Sequence, residues 1–296
     1  MRLALVLALG AGCGFHIPGG TAAGDAAPDD ANPDTPIDMS PNMPDMAIDM
    51  MPLPQDQDGD TILDSVDNCV AVANTDQRNH DGDPFGDACD RCPHLSSVSD
   101  PDGDGDGVGD ACDPRPANNA DQRKFWFGFY DMNEINGWTM QGTWTVSSQG
   151  YLVQATKNLS GIAPPGNVNV PFVMTEIVID DPNTSFEIGI SDQVIGTAYE
   201  CALVKANTNV TIRARDATAP GGSGTTSLSW PGTAGIGSTV QLTLDLGSDI
   251  DCRAVQGATT IRPVESSNGD PTGRTYVGTV GAATRFDYLF VVDQEP

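Results

Sequence analysis

Asp102–Asp113 reads DGDGDGVGDACD, and with the two residues before it, Asp100 and Pro101, it holds six aspartates in fourteen residues and no lysine or arginine. Like charges at this density repel one another and oppose compaction. Either the segment stays open or a cation sits among the carboxylates. Two further stretches favour the cation: DQDGDTILDSVD (Asp56–Asp67) and NHDGDPFGDACD (Asn79–Asp90). All three place side-chain oxygens at positions 1, 3, 5, 9 and 12. Alternate residues of a tight turn aim carboxylates at one centre, and position 7 (Ile62, Phe85, Val108) adds a backbone carbonyl. Calcium takes about six to eight hard oxygens in this way. The expected cofactor is therefore Ca2+, several ions in a structural role. Position 12 is Asp rather than a bidentate Glu, and no helical pattern flanks the loops, so these are not EF-hand pairs.

The cysteines keep the same beat. Cys69 to Cys89 is twenty residues, and Cys92 to Cys112 is twenty again. With Asp67-Asn68-Cys69, Asn74 and Gln77, the segment from about Gln55 to Pro114 resembles the thrombospondin type 3 repeat. That resemblance implies a chain wrapped around calcium ions with little hydrophobic core, and disulfides that staple successive repeats. By position it implies Asp56, Asp58, Asp60, Asp64 and Asp67 as ligands in the first loop. In the second they are Asn79, Asp81, Asp83, Asp87 and Asp90, and in the third Asp102, Asp104, Asp106, Asp110 and Asp113, with Asn74 adding an oxygen. Thr61 and Pro84 stand where the repeat has glycine at position 6, and PHLSSVSDPD (Pro93–Asp102) lacks the Asn-x-x-Gln element. The equal intervals favour Cys69–Cys89 and Cys92–Cys112, although four cysteines allow three connectivities. Cys89-Asp-Arg-Cys92 has neither a second close pair for zinc nor a βαβ setting for redox chemistry.

The 296-residue chain has a formal net charge of −27. Every acidic residue up to Asp121 is Asp, and the first Glu is Glu134. Asp interleaved with Gly and Pro points to turns and oxygen ligands rather than to a generic acidic tail. The acidity argues against nucleic acid as a partner, and against adsorption to an anionic membrane surface. The N-terminus, MRLALVLALGAGCGF, has one basic residue, a short apolar run (Leu3–Leu9) and small residues before Cys13. It is a secretory signal too short to span a bilayer. It resembles a bacterial lipoprotein signal, with Gly10 where a Leu is usual; this implies removal of residues 1–12 and a lipid on Cys13. Cysteine parity agrees: seven cysteines less Cys13 leave an even set for an oxidising compartment. Residues 13–54 form the expected tether. Its Asp/Pro/Met-rich sequence cannot bury enough surface to offset its ordering entropy. Stretched at up to about 3.1 Å per residue, it would reach on the order of 100 Å. The expected location is outside the cell or on the outer membrane, held by lipid alone.

From Gln122 the composition changes. Short segments rich in Thr, Val, Ile and aromatics, such as FVMTEIVIDD (Phe172–Asp181), alternate with turns. The expected fold class is mainly β: residues 122–296 as an antiparallel β-sandwich, preceded by irregular calcium-wrapped repeats over 55–121. GWTMQGTWTVSSQGYLVQ (Gly137–Gln154) and ATRFDYLFVVD (Ala283–Asp293) resemble concanavalin A-like jelly rolls of the laminin-G-like kind. That superfamily holds both binding modules and glycosidases, so fold does not decide function. The glycosidase pattern Glu-x-Asp-x-x-Glu is incomplete at Glu176 and Asp180, and His16, His80 and His94 lie outside the segment. The expectation is accordingly no enzyme, with adhesion through a glycan or protein ligand as the role. A carbohydrate-active enzyme or a passive spacer are the alternatives. Trp126, Trp138, Trp144, Trp230 and Tyr199 are candidate stacking platforms, Trp230 in SLSWPG being the expected exposed one. Cys201 and Cys252 are expected to join two strands.

Overall fold

A computed structural model describes residues 55–192, 199–217, 224–266 and 272–294. The signal segment 1–12, Cys13 and the tether to residue 54 lie outside the described residues. Residues 55–120 contain no strand or helix, as expected of a chain built from Asp, Gly and Pro turns. Strands β1 (Asp121–Phe127), β2 (Thr139–Gln141), β3 (Thr145–Val146), β4 (Leu152–Gln154), β5 (Ser160–Ala163), β6 (Val168–Asn169), β7 (Pro171–Ser191), β8 (Tyr199–Ala206) and β9 (Asn209–Asp216) follow. After them come β10 (Gly224–Ser229), β11 (Thr239–Asp245), β12 (Asp249–Gln256), β13 (Thr259–Ile261), β14 (Val264–Ser266), β15 (Thr272–Gly273), β16 (Tyr276–Phe286) and β17 (Leu289–Gln294). A 3-10 turn at Met132–Ile135 is the only helical element among the described residues.

The strands form an antiparallel sandwich. One layer runs β1-β17-β7-β11-β12, with β13 and β14 on β12. The other runs β10-β9-β8-β7-β16, with β4 and β5 on β16. Strand β7 serves both layers: Phe172–Val178 pairs with β11, and Ser185–Ser191 pairs with β8. Its register with β16 slips between Val280 and Ala282. Gly281 sits at that slip with φ 80°, and a Cβ there would meet Ser185 O at 2.4 Å, so only glycine fits. Between the layers, Val173, Ile177, Leu242 and Ile250 pack with Ile188, Ile190, Leu203 and Ile212. The Cys201–Cys252 disulfide ties β8 to β12 across this core.

A second core lies on the outer face of the first layer. Phe172 and Met174 alternate with the inward residues of β7, and Phe290 and Val292 do the same on β17. With Trp126 they pack against Cys92, Leu95, Val108 and Cys112 of the Asp-rich segments. His94 is wedged among them: its ring centroid is 4.7 Å from those of both Tyr288 and Phe290, and Nε2 is 3.0 Å from Met174 Sδ. Polar clamps flank this core. The Arg78 guanidinium pairs with Asp131 (2.8 Å) and Glu134 (3.1 Å) and lies 4.6 Å from the Tyr130 ring centre. The repeats and the sandwich thus belong to one compact unit, residues 52–296.

Burial among these rings drives the His94 imidazole down to about 3, from an ordinary value of 6.5. The unfolded chain therefore binds the additional proton between those values. Stability is lost as pH falls from about 6.5 towards 3, by at most about 1.4 kcal/mol per pH unit. Denaturant titrations at fixed calcium should show the wild type losing stability relative to His94→Leu over that window. A constant difference would contradict a buried neutral His94.

Candidate metal centres

The three loops are built alike. Position 4 is glycine with φ between 74° and 84° (Gly59, Gly82, Gly105). Position 1 caps the turn: Asp56, Asn79 and Asp102 accept from the amides of Gly59, Gly82 and Gly105 at 2.7–2.8 Å. Position 5 accepts from the amide two residues on, Ile62, Phe85 or Val108. Thr61 adopts φ 81°, close to the 92° of Gly107 at the same loop position, so its missing glycine does not change the turn. The second oxygens of Asp56, Asp60, Asp83 and Asp102 accept in turn from the amides of Thr61, Asn74, Ser97 and Gly107. Asp56, Asp58 and Asp60 each offer an oxygen within 4.8 Å of the others; so do Asp81, Asp83 and Asp90, and Asp102, Asp104 and Asp106.

Some oxygens of these loops lack donors. Asp58, Asp81, Asp90, Asp104, Asp106 and Asp113 each bury an Oδ2 with no hydrogen-bond partner. Burial, reinforced by neighbouring carboxylates, pushes Asp90 and Asp113 up to about 7. Unpaired carboxylate oxygens held this close together are destabilising. A hard divalent cation removes that cost, and a donor set made only of oxygens suits calcium rather than zinc. The residues present fit the ion.

Position 9 stands apart. Asp64, Asp87 and Asp110 do not join these clusters; each turns back to accept the amide of position 2, from Gln57, His80 and Gly103 at 2.7–2.8 Å. Their own amides donate to Gln55, Arg78 and Pro101, so position 9 closes the loop. Asp87 does more: its Oδ2 accepts from Trp126 Nε1 (3.1 Å) and Tyr130 Oη (2.7 Å), tying the second loop to the sandwich. Asp67 likewise holds the Cys69 amide and Gln77 Nε2. Asn74 is a strut, giving its amide to Asp60 and its Nδ2 to Asn68. The disulfides Cys69–Cys89 and Cys92–Cys112 are formed.

Beside the repeats, the outward residues of β11 floor an open groove. One cavity of about 750 Å³ is lined by Glu176, Thr233, Ser238, Thr239, Gln241 and Gln256. Another of about 490 Å³ is lined by Leu95, Asp113, Pro114, Phe172, Gln241, Thr243, Asp251 and Arg253. Gln241 lines both, and the third loop supplies one wall of the second. Trp230 is not part of it. The expectation of an exposed Trp230 is corrected: it is 6% exposed in the main core. Gly232 makes room for the indole, which a Cβ there would meet at 2.6 Å. Trp138, Trp144 and Tyr199 are buried as well.

Residues 54–77 match the family model of the thrombospondin type 3 repeat. No curated protein matches the chain. Similar solved structures include carbohydrate-binding module CBM66 from Bacillus subtilis, at 15% identity and TM-score 0.40, over 52% of this chain and 93% of that one. LamAcat from Zobellia galactanivorans is similar at 10% identity and TM-score 0.44, over 57% and 96%. A beta-1,3-glucanase from Mycobacterium marinum is similar at 11% and 0.42, over 57% and 98%. The match to the thrombospondin type 3 repeat thus falls in the Asp-rich segment that precedes the antiparallel sandwich.

The expectation that the protein is not an enzyme is corrected. Glycosyl hydrolases stand among the similar structures beside binding modules. One reason for that expectation also fails in the structure. His80 lies outside 122–296 in sequence, yet its Nε2 is 3.4 Å from Asp287 Oδ2 and its ring lies against Trp126 and Tyr288. No periodicity in the chain signals that approach.

Calcium removal tests the centres. At a hundred times its Kd an ion bound only by the folded state contributes about 2.7 kcal/mol. Chelation should lower the melting temperature of the full chain, and Asp58→Asn should raise the calcium concentration needed to restore it. Melting that ignores chelator would contradict the metal reading.

Proposed function

We propose that the protein is an exported, lipid-anchored surface protein whose calcium-filled repeats hold a glycan-binding sandwich. The observation that carries the binding role is the groove centred on Gln241. Its lining mixes amides, hydroxyls, carboxylates and the Arg253 guanidinium, the donors and acceptors that sugar hydroxyls pair with. Because Cys112, Asp113 and Pro114 form one wall, binding depends on calcium in the third loop. None of Trp138, Trp144, Trp230 and Tyr199 is exposed to stack on a sugar, so hydrogen bonding carries recognition. Adhesion follows from such a groove displayed on an anchored chain.

A glycan array probed with the full chain, with and without calcium, is the direct test. The expected result is calcium-dependent binding that Arg253→Ala weakens about tenfold, the loss of one charge-assisted hydrogen bond. Released sugar measured on the same glycans would reveal turnover. A blank array in calcium would sink the glycan reading.

The anchor rests on the signal sequence and on cysteine pairing. Three disulfides use Cys69, Cys89, Cys92, Cys112, Cys201 and Cys252, leaving Cys13 for a lipid. Cys13→Ser should move the protein from the membrane fraction to the soluble fraction in a bacterial host. Unchanged fractionation would refute lipidation at this residue.

A further inference from the structure

We propose that Asp106, Asp113 and Asp121 hold a further calcium ion that fastens the third loop to the first strand of the sandwich, an inference that rests on calcium occupancy of the loops. Asp121 belongs to none of the three loops. It opens β1, opposite Gln294 of β17, so the sheet sets its position. It is 1% exposed. One carboxylate oxygen from each of the three residues lies within 4.8 Å of the other two.

The distribution of donors says what belongs between them. Asp106 Oδ1 accepts the Val108 amide at 2.8 Å, and Asp113 Oδ1 accepts the Arg115 amide at 2.6 Å. Asp121 Oδ1 accepts from the Arg115 side chain. The Oδ2 atoms of all three are buried with no hydrogen-bond partner. Arg115 carries a single positive charge, which leaves the trio negative. Buried carboxylate oxygens facing one another in this way are stabilised by a cation between them.

The other loops provide an internal comparison. Asp60 and Asp83 are the position-5 counterparts of Asp106. Their Oδ2 atoms accept the amides of Asn74 and Ser97, each fourteen residues further along. The residue fourteen after Asp106 is Ala120, whose amide instead donates to Asn118 O. Its neighbour Asp121 brings a carboxylate to the place where the other loops bring a donor. An acceptor replaces a donor beside an acceptor, and a metal ion between them reconciles the two. With oxygen donors alone, and room for water or backbone carbonyls to complete the shell, calcium is the fitting ion.

Calcium bound per full-length chain, counted at saturation by native mass spectrometry and by equilibrium dialysis, tests this with Asp121→Asn, which keeps the shape and removes the charge. The expected result is one ion fewer than in the wild type, the ions of the first two loops being retained. An equal count at equal affinity overturns the site while leaving the loop reading intact. A wild type that binds no calcium overturns both. If Asp121→Asn fails to fold, as judged by loss of its β-sheet circular dichroism, anomalous scattering from wild-type crystals grown with a lanthanide decides. A peak coordinated by Asp106, Asp113 and Asp121 upholds the site, and its absence while the loops are loaded refutes it.

Discussion

Phe172, Met174, Phe290 and Val292 point away from the interior of the sandwich, and something apolar has to cover them. A sheet with one wet face would carry polar residues there. Here the cover is a segment with almost no core of its own, contributing Cys92, Leu95, Val108 and Cys112. That segment gathers carboxylates that repel one another. The outer face of one layer is therefore covered by the part of the chain that carries the carboxylate clusters. The polar clamps follow the same logic, with Arg78 on Asp131 and Glu134, and Asp87 accepting from Trp126 and Tyr130. Repeat and sandwich fold as one body.

This coupling changes how the binding face is understood. A sandwich cut off at Gln122 would lack one wall of the groove and would expose the outer apolar residues of β7 and β17. Exposed patches of that kind drive association between chains. The third loop lies both at a carboxylate cluster and along one of the cavities. Asp113 shows this double use, lining the groove while lying within reach of Asp106 and Asp121.

Much of this architecture is legible in the order of the residues. The twenty-residue cysteine intervals foreshadow the pairing found, and the Asp periodicity locates the three loops. The sandwich follows from its short strands. What escaped was set by distance in sequence. FVMTEIVIDD and FDYLFVVD are nearly continuous apolar runs, and such runs mark strands buried on both faces. They held the signal for docking, but not the identity of the covering segment. At position 9 the carboxylates of Asp64, Asp87 and Asp110 serve backbone amides, a use that their spacing alone does not show. Trp230 misled because glycine beside an indole reads as openness when it is close packing. His80 and Asp121 act across elements that no local pattern joins.

The Cys69–Cys89 and Cys92–Cys112 bridges have a mechanical consequence. Each joins cysteines twenty positions apart, and only Asp90 and Arg91 lie between the two. Fully drawn out, each enclosed stretch would span about 65–70 Å of contour. With the bridges intact that length is withheld from any tension on the chain, which passes from sulfur to sulfur instead. Loss of the ions would soften these repeats without lengthening them appreciably. Only reduction would let the stalk release its hidden slack.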